Sequence, residues 1–489
     1  MTISFNAIPI DIRTPGQYIE FDNSRALRGL PAVAHKVLVI GQRLAVGNVD
    51  AGVPTRILSA AQAEAAFGAG SMLAAMLAAF KAANGTSDVT AIALDDLGAG
   101  AAAAGSVAFT GPATAAGTLH MYIGGMRLQV GVTAAMTAAE LATATAAAIT
   151  AATQLPVTAE VNASDTATVD ITARHKGENG NGIDLRANYA LGEVLPAGIG
   201  ATFVQMAGGT GNPDIATAIA AMADTQYSTV AVAYNDATNL AALEAELADR
   251  WGPMVQLEGH AFAVASGTVA ELATLGDARN SPHLTLVAAG KSPTPAWIWA
   301  AVCGAVDAFE PDPARPRQTL LLPGLLAPAS ADRFTREERD LLLHDGIATT
   351  TVDAGDLVRV ERFITTYQES ASGEADVSYL DIETVRTLAY LRATLRARIA
   401  LRYPRHKLAD DGTLFAPGQA VATPKLIKAE ILHLFREWEA AGLVEDFEQF
   451  KSGLIVERNA TDANRIDALI PPNVVNQLRV FAGLIQFRL

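Results

Sequence analysis

TVAVAYNDATNLAALEAELADRWGPMVQLEGHAFAVASGTVAELATLGDARNSPHLTLVAAGKSPTPAWIWAAVCGAVDAF, Thr229–Phe309, decides the fold class. Three apolar runs stand in it: Thr229–Tyr234 (TVAVAY), Ala261–Ala265 and Leu284–Ala288. Each has the length of a buried strand. Ala237–Arg250, Val269–Leu275 and Ala296–Phe309 follow them with helical periodicity. Strands alternating with helices predict a parallel α/β sheet. The same rhythm appears upstream. Lys36–Gly41 (KVLVIG) and Val89–Leu94 (VTAIAL) are strands, and Ala60–Phe67 and Met72–Ala83 are helices, the second stopped by Asn84-Gly85. Asp214–Ala223 is a further helix, opened by Asn212-Pro213.

Between Leu97 and Gly208 the rhythm breaks. Residues 98–207 hold 11 Asp, Glu, Lys and Arg in 110 positions, about 10%, against 18% for the whole chain. Ser106–Thr110 and Thr118–Val132 look like strands, with turns at Gly111-Pro112 and Gly124-Gly125. Ala138–Thr153 is a helix, Val157–Val161 and Thr166–Ala173 are strands, and KGENGNG at Lys176–Gly182 is a turn-rich loop. The expected element is an inserted β-rich domain of ββαββ type, bounded by small-residue crossings at Gly98–Gly105 and Ala207–Pro213. The expected architecture is therefore α/β and multi-domain. It comprises an arm over 1–30, an α/β domain over 31–97 and 208–350, the insert, and an α+β C-terminal domain over 351–489.

The last third begins with a proline-rich stretch, Pro311–Pro328, and a charged helix within 331–349. Leu357–Gln368 alternates as a long strand, and Asp381–Arg402 and Pro424–Ala441 are helices. Lys451–Asn459 and Gln477–Leu489 are expected strands. Phe481, Ile485, Phe487 and Leu489 share one face of the last. At the other end Ile8, Ile10 and Ile12 alternate with polar and proline residues before Pro15-Gly16. That arm is a short edge strand or an unstructured terminus. A terminal apolar edge strand needs a partner, in its own subunit or in a neighbour.

Composition excludes several classes. The chain has 36 Lys and Arg against 51 Asp and Glu, a formal net charge of −15. General nucleic-acid binders are basic. Its single cysteine, Cys303, permits neither an internal disulfide nor a cysteine zinc cluster. The longest strongly apolar run, Ala296–Val306, is about half of the ~20 residues a spanning helix needs. No targeting pattern opens the chain, so a soluble, intracellular origin without direct membrane insertion is expected.

No two of the eight histidines have a compact metal-ligand spacing. Cys303 lies in an apolar helix, where a thiol is structural. No GxSxG, GxGxxG or P-loop occurs. The run AGGTGNP at Ala207–Pro213 precedes a helix and is either a linker or an anion-binding loop. No catalytic residue, metal or cofactor is expected. An α/β enzyme using that loop is the rival reading.

One charge feature stands out. Arg386, Arg392, Arg396, Arg398, Arg402, Arg405 and Lys407 face only Asp381 and Glu383 within Asp381–Lys407, a local charge of +5, which leaves −20 for the rest. They flank a stripe of Val385, Leu388, Leu391, Leu395 and Ile399. Either the helix dipole accounts for them, or they form a surface for an acidic partner.

Several strings then resemble one family. These are ISFNAIPIDIRTPGQYIEFDNSRA (Ile3–Ala26), DPARPRQTLLLPGLLAP (from Asp312), ITTYQESASGEADVSYLDIETVRTLAYLR (Ile364–Arg392), YPRHKLADDGT (Tyr403–Thr413), FKSGLIVERNATDANRID (Phe450–Asp467) and NQLRVFAGLIQFRL (Asn476–Leu489). The chain resembles the contractile tail sheath proteins of Mu-like bacteriophages, related to the sheaths of R-type pyocins and type VI secretion. The resemblance implies six-subunit rings stacked helically around an inner tube, with no enzyme activity. It implies that terminal strands of one subunit add to sheets of its neighbours, and that the insert faces outward. On it rest the intersubunit strands Ile8–Arg13 and Phe481–Leu489, with Val358, Val360 and Ile364 of Leu357–Gln368 as acceptor. Also on it rests a tube-facing basic surface at Arg392, Arg396, Arg398, Arg402, Arg405 and Lys407. Implied partners are further copies of the chain and the tail tube, baseplate and tail terminator proteins. The implied location is the virion tail, after assembly in the host cytoplasm. A phage-derived, pyocin-like particle fits the same residues.

Overall fold

A run such as KVLVIGQ with six of its seven residues buried forms only where a sheet is covered on both faces. The computed structural model describes residues 13–17, 35–416 and 418–488. Two compact units emerge. One comprises residues 35–311 and 317–382, and the other includes 312–316 and 383 onward. The predicted arm strand Ile8–Arg13, with Ile8, Ile10 and Ile12, lies outside the described residues apart from Arg13. Leu489 also lies outside them.

The larger unit opens with β1 (Lys36–Gln42), β2 (Thr55–Ile57), α1 (Ala60–Phe67), α2 (Met72–Ala83) and β3 (Asp88–Leu94). The insert follows as β4 (Ala102–Thr110), β5 (Gly117–Ile123), β6 (Met126–Val132), α3 (Ala138–Ala151), β7 (Val157–Val161), β8 (Thr168–Lys176), β9 (Leu185–Ala187) and β10 (Gly200–Ala207). The unit resumes with α4 (Ala216–Met222), β11 (Thr229–Val232), α5 (Ala237–Trp251), β12 (His260–Ser266), α6 (Val269–Asp277), β13 (Leu284–Gly290), α7 (Ala296–Phe309) and β14 (Leu321–Leu326). It ends with α8 (Arg336–His344), β15 (Ile347–Val352) and β16 (Leu357–Arg362).

Nine strands form its main sheet in the order β14-β16-β15-β13-β12-β11-β1-β3-β2. The six from β15 to β3 run parallel, and antiparallel pairings add β16, β14 and β2. Helices α2 and α7 pack together, and α7 also lies on β11 and β12. Trp297, Trp299 and Cys303 of α7 are buried. The insert is richer than the expected ββαββ unit. Its strands make two sheets, β10-β4-β8-β7 and β6-β5-β9, with α3 packed on β6 and β7. One hydrophobic cluster runs through Leu119, Met121, Val169 and Ile171 of the insert and Val37, Leu38 and Ile92 of the main sheet.

The smaller unit contains α9 (Ile382–Arg402), β17 (Lys407–Leu408), β18 (Val421–Ala422), α10 (Pro424–Ala440), β19 (Val444–Glu445), α11 (Phe447–Gly453), β20 (Ile455–Arg458), β21 (Ile466–Leu469) and β22 (Asn473–Val474). Thr423 caps α10, with Pro424 in its first turn. Ile431, Leu434, Phe435 and Trp438 of α10 pack with Leu391, Phe450 and Leu454, and Phe435 stacks on Phe450 at 4.0 Å. Among the described residues no helix is long and apolar enough to cross a membrane. The fold is mixed α/β, with several sheets and, among the described residues, eleven α-helices.

Candidate assembly surface

After β22, which pairs with β19, the Val475 N–H donates to the Leu443 carbonyl at 3.1 Å. Arg479 Nη2 then donates to Glu383 Oε2 at 2.7 Å. Among the described residues, none from Val480 to Arg488 makes a hydrogen bond. Phe481 is 89% exposed, Ile485 89% and Phe487 80%. Of the strand expected over Gln477–Leu489, the described residues 477–488 form none, and no ladder among the described residues meets them. Contiguous exposed side chains of this kind mark a contact surface.

A second feature sits in the same unit. β20 and β21 form a two-stranded antiparallel ladder in which Ile455 faces Leu469. Those two are 51% and 60% exposed. Among the described residues neither outer edge of this hairpin is paired. Two strands alone are marginal in water and gain from further pairing. The body holds the hairpin through Lys428 Nζ, which donates to the Leu454 carbonyl at 2.6 Å, and through Val456 and Ile466 on the α10 cluster. The strand expected over Lys451–Asn459 starts late, at Ile455, because Asp446 caps the short helix α11 first.

The acceptor expected at Leu357–Gln368 does not survive. β16 ends at Arg362 and lies between β14 and β15, so it offers no open edge. Val358, Val360 and Ile364 are buried in the core. Beyond Arg362 the chain leaves the ladder, and the Thr366 N–H donates to the Leu284 carbonyl at 2.9 Å.

The basic segment divides. Arg396, Arg405 and Lys407 are exposed, and Arg392 and Arg402 are half-buried. Arg402 Nε lies 3.6 Å from Glu430. Arg398 departs from the expected surface. It is 6% exposed, donates to Glu430 at 3.0 Å and also pairs with Glu437. The i, i+4 spacing from Thr394 turns it toward α10, where two carboxylates offset the cost of burying a guanidinium. Trp438 Nε1 donates to Thr394 Oγ1 at 3.0 Å alongside.

The rival anion loop is already occupied. The Gly209 N–H donates to Asn181 Oδ1 at 2.8 Å and the Thr210 N–H to the Ala101 carbonyl at 3.1 Å. A Cβ on Gly209 would sit 2.4 Å from the Gly177 carbonyl oxygen, so glycine here serves a close chain crossing. Ligands of open parallel sheets bind beyond the carboxyl ends of the strands. Here the insert's 178–182 turn fills that position, with Asn179 Nδ2 donating to the Ala233 carbonyl at 3.1 Å. Gln42 Nε2 at the end of β1 donates to Asp96 and to the Lys176 carbonyl, both at 2.7 Å. Burial pushes the Cys303 thiol far above its ordinary value, with Asp307 adding to the effect, so it is no nucleophile. Among the described residues no cluster of His, Cys, Asp and Glu could hold a metal ion.

Known proteins share long stretches of this sequence. The model of the phage tail sheath protein beta-sandwich domain matches residues 84–201, that of the sheath central domain 208–366, and that of the sheath C-terminal domain 374–488. The Mu-like prophage FluMu tail sheath protein of Haemophilus influenzae is 45% identical over 489 residues, covering 100% of both chains. Among solved structures, the sheath tail protein from Desulfitobacterium hafniense is 13% identical, with 94% of this chain and 100% of that one covered and a TM-score of 0.49. The contracted helical sheath of the anti-feeding prophage is 13% identical, with 98% and 99% covered and a TM-score of 0.47. Matched by sheath models over 84–201, 208–366 and 374–488, and nearly half identical to a sheath protein along its full length, the chain belongs to the phage tail sheath proteins of the Mu-like type.

Proposed function

We propose that this chain is the repeating subunit of a contractile sheath, stacked in six-subunit rings around a tail tube. The observation that carries this is the pairing of needs within one unit. Among the described residues, Val480–Arg488 is an apolar segment without a ladder, and β20–β21 is a ladder with open edges. The tail of one copy adds to the hairpin of the next by β-augmentation, with affinity from main-chain bonds. The hairpin replaces Leu357–Gln368 as acceptor. The arm strand Ile8–Arg13 serves as a second exchanged strand, on the strength of the family resemblance.

Arg392, Arg396, Arg402, Arg405 and Lys407 form the tube-facing surface, without Arg398. The insert faces outward. The subunit's work is mechanical and needs no catalytic group, metal or cofactor. Its partners are other copies, the tube, the baseplate and the terminator, in a virion tail assembled in the host cytoplasm.

Electron microscopy of the purified protein tests this. The full chain is expected to give long hollow tubes, and a chain lacking residues 480–489 to stay a folded monomer. Normal tubes from the truncated chain would overturn the strand-exchange reading.

A further inference from the structure

We propose that Arg479, held by Glu383, is the positioning residue of the exchanged tail: the last fixed point from which the apolar strand leaves the body. This rests on the strand-exchange reading above and adds what sets the strand's starting point. Glu383 stands in the first turn of α9 and is fully buried. A buried carboxylate requires a cation and hydrogen bonds. Arg479 Nη2 supplies both at 2.7 Å, with its own side chain only 12% exposed. Neither side chain is confined to this contact.

The position in the chain gives the pair its meaning. Upstream ties end at the Val475 N–H bond. Leu478, beside Arg479, is 81% exposed, and Val480 on the other side is 79% exposed. Arg479 alone turns inward between two outward side chains. Without the Arg479 side chain the last tie retreats to Val475. Residues 476–479 would then have to be ordered each time a tail docks. Ordering even one backbone residue weakens docking by roughly tenfold. Fixing the root in advance removes that cost before association, which is how preorganisation raises affinity.

The test compares Glu383→Gln, Arg479→Met and Arg479→Lys in the full-length chain. The critical concentration for tubes is read by sedimentation and microscopy, and monomer stability by thermal unfolding. Tail motion is read by fluorescence anisotropy from a dye on Ala482→Cys. Cys303 does not compete for the dye, because it is buried. Glu383→Gln and Arg479→Met are expected to raise the critical concentration by about tenfold or more and to free the tail in the monomer. Arg479→Lys, which keeps the charge, is expected to restore most of the assembly.

Should either single variant lose its fold, the double variant Glu383→Gln/Arg479→Met removes both charges together. It is expected to fold and still to assemble poorly. Normal assembly by a folded Arg479→Met or by the double variant, while deletion of 480–489 abolishes tubes, would overturn the positioning role alone. Tubes from the deletion itself would overturn the strand-exchange reading and this inference with it.

Discussion

Asp307 is buried at the end of α7, and Arg317 Nε lies 3.2 Å from its Oδ1. Thr229 Oγ1 donates to the other oxygen at 3.2 Å, and His35 Nε2 lies 3.0 Å from that hydroxyl. Removing one partner of such a pair strands a charge in the core. Arg317→Met is expected to destabilise the larger unit by about 3–5 kcal/mol, and adding Asp307→Asn to recover part of that loss, read from urea midpoints. His175 carries a different liability. Its ring is fully buried edge-on to Trp297, with centroids 5.5 Å apart and neither nitrogen hydrogen-bonded. Burial pushes its pKa down from 6.5 to about 4. The folded state therefore keeps the ring neutral while the unfolded chain takes up a proton below 6.5. Its contribution is whole above pH 6.5 and drains away as pH falls toward 4, about 3 kcal/mol in all. His175→Phe is expected to flatten the pH dependence of the urea midpoint across that window.

Helices with strong end signals are legible from residues alone. Ala60–Phe67, Met72–Ala83 and Ala296–Phe309 match their predicted bounds, and Ser59 and Ser71 cap the first two by accepting from the Gln62 and Ala74 N–H groups. Strands such as β10, β14 and β15 escape prediction, because their existence depends on ladder partners distant in sequence. LLPGLL in β14 contains Pro323 and Gly324, which fit only because the strand lies at a sheet edge. The proposed exchange site divides the same way. The tail's alternation is visible in its residues, while the open hairpin is visible only once the pairing is known. On α9 the helical wheel places Arg398 beside the stripe, and only the position of Glu430 and Glu437 shows it to be internal. Charge reversal at the exposed Arg396 and Arg405 is therefore expected to weaken co-sedimentation with tube by about tenfold or more while self-assembly persists. Equal loss of both would assign those residues to folding.

The two units differ in what holds them together. The larger has one hydrophobic cluster shared by sheet and insert, joined by Gln42, Asp96, Lys176 and Asn179. The smaller is organised around α10. Scanning calorimetry of the monomer is expected to show the insert melting together with the main sheet. A separate transition for residues 98–207 would contradict the shared core.

The 178–182 turn at the strand ends has one more consequence. Open parallel sheets receive their ligands there. This sheet carries its own plug, tied down by Asn179 and Gln42, so that docking place is closed in advance. The proposed sheath then keeps its tension outside this sheet, like that of a spring whose coils are stiff and whose joints do the unwinding.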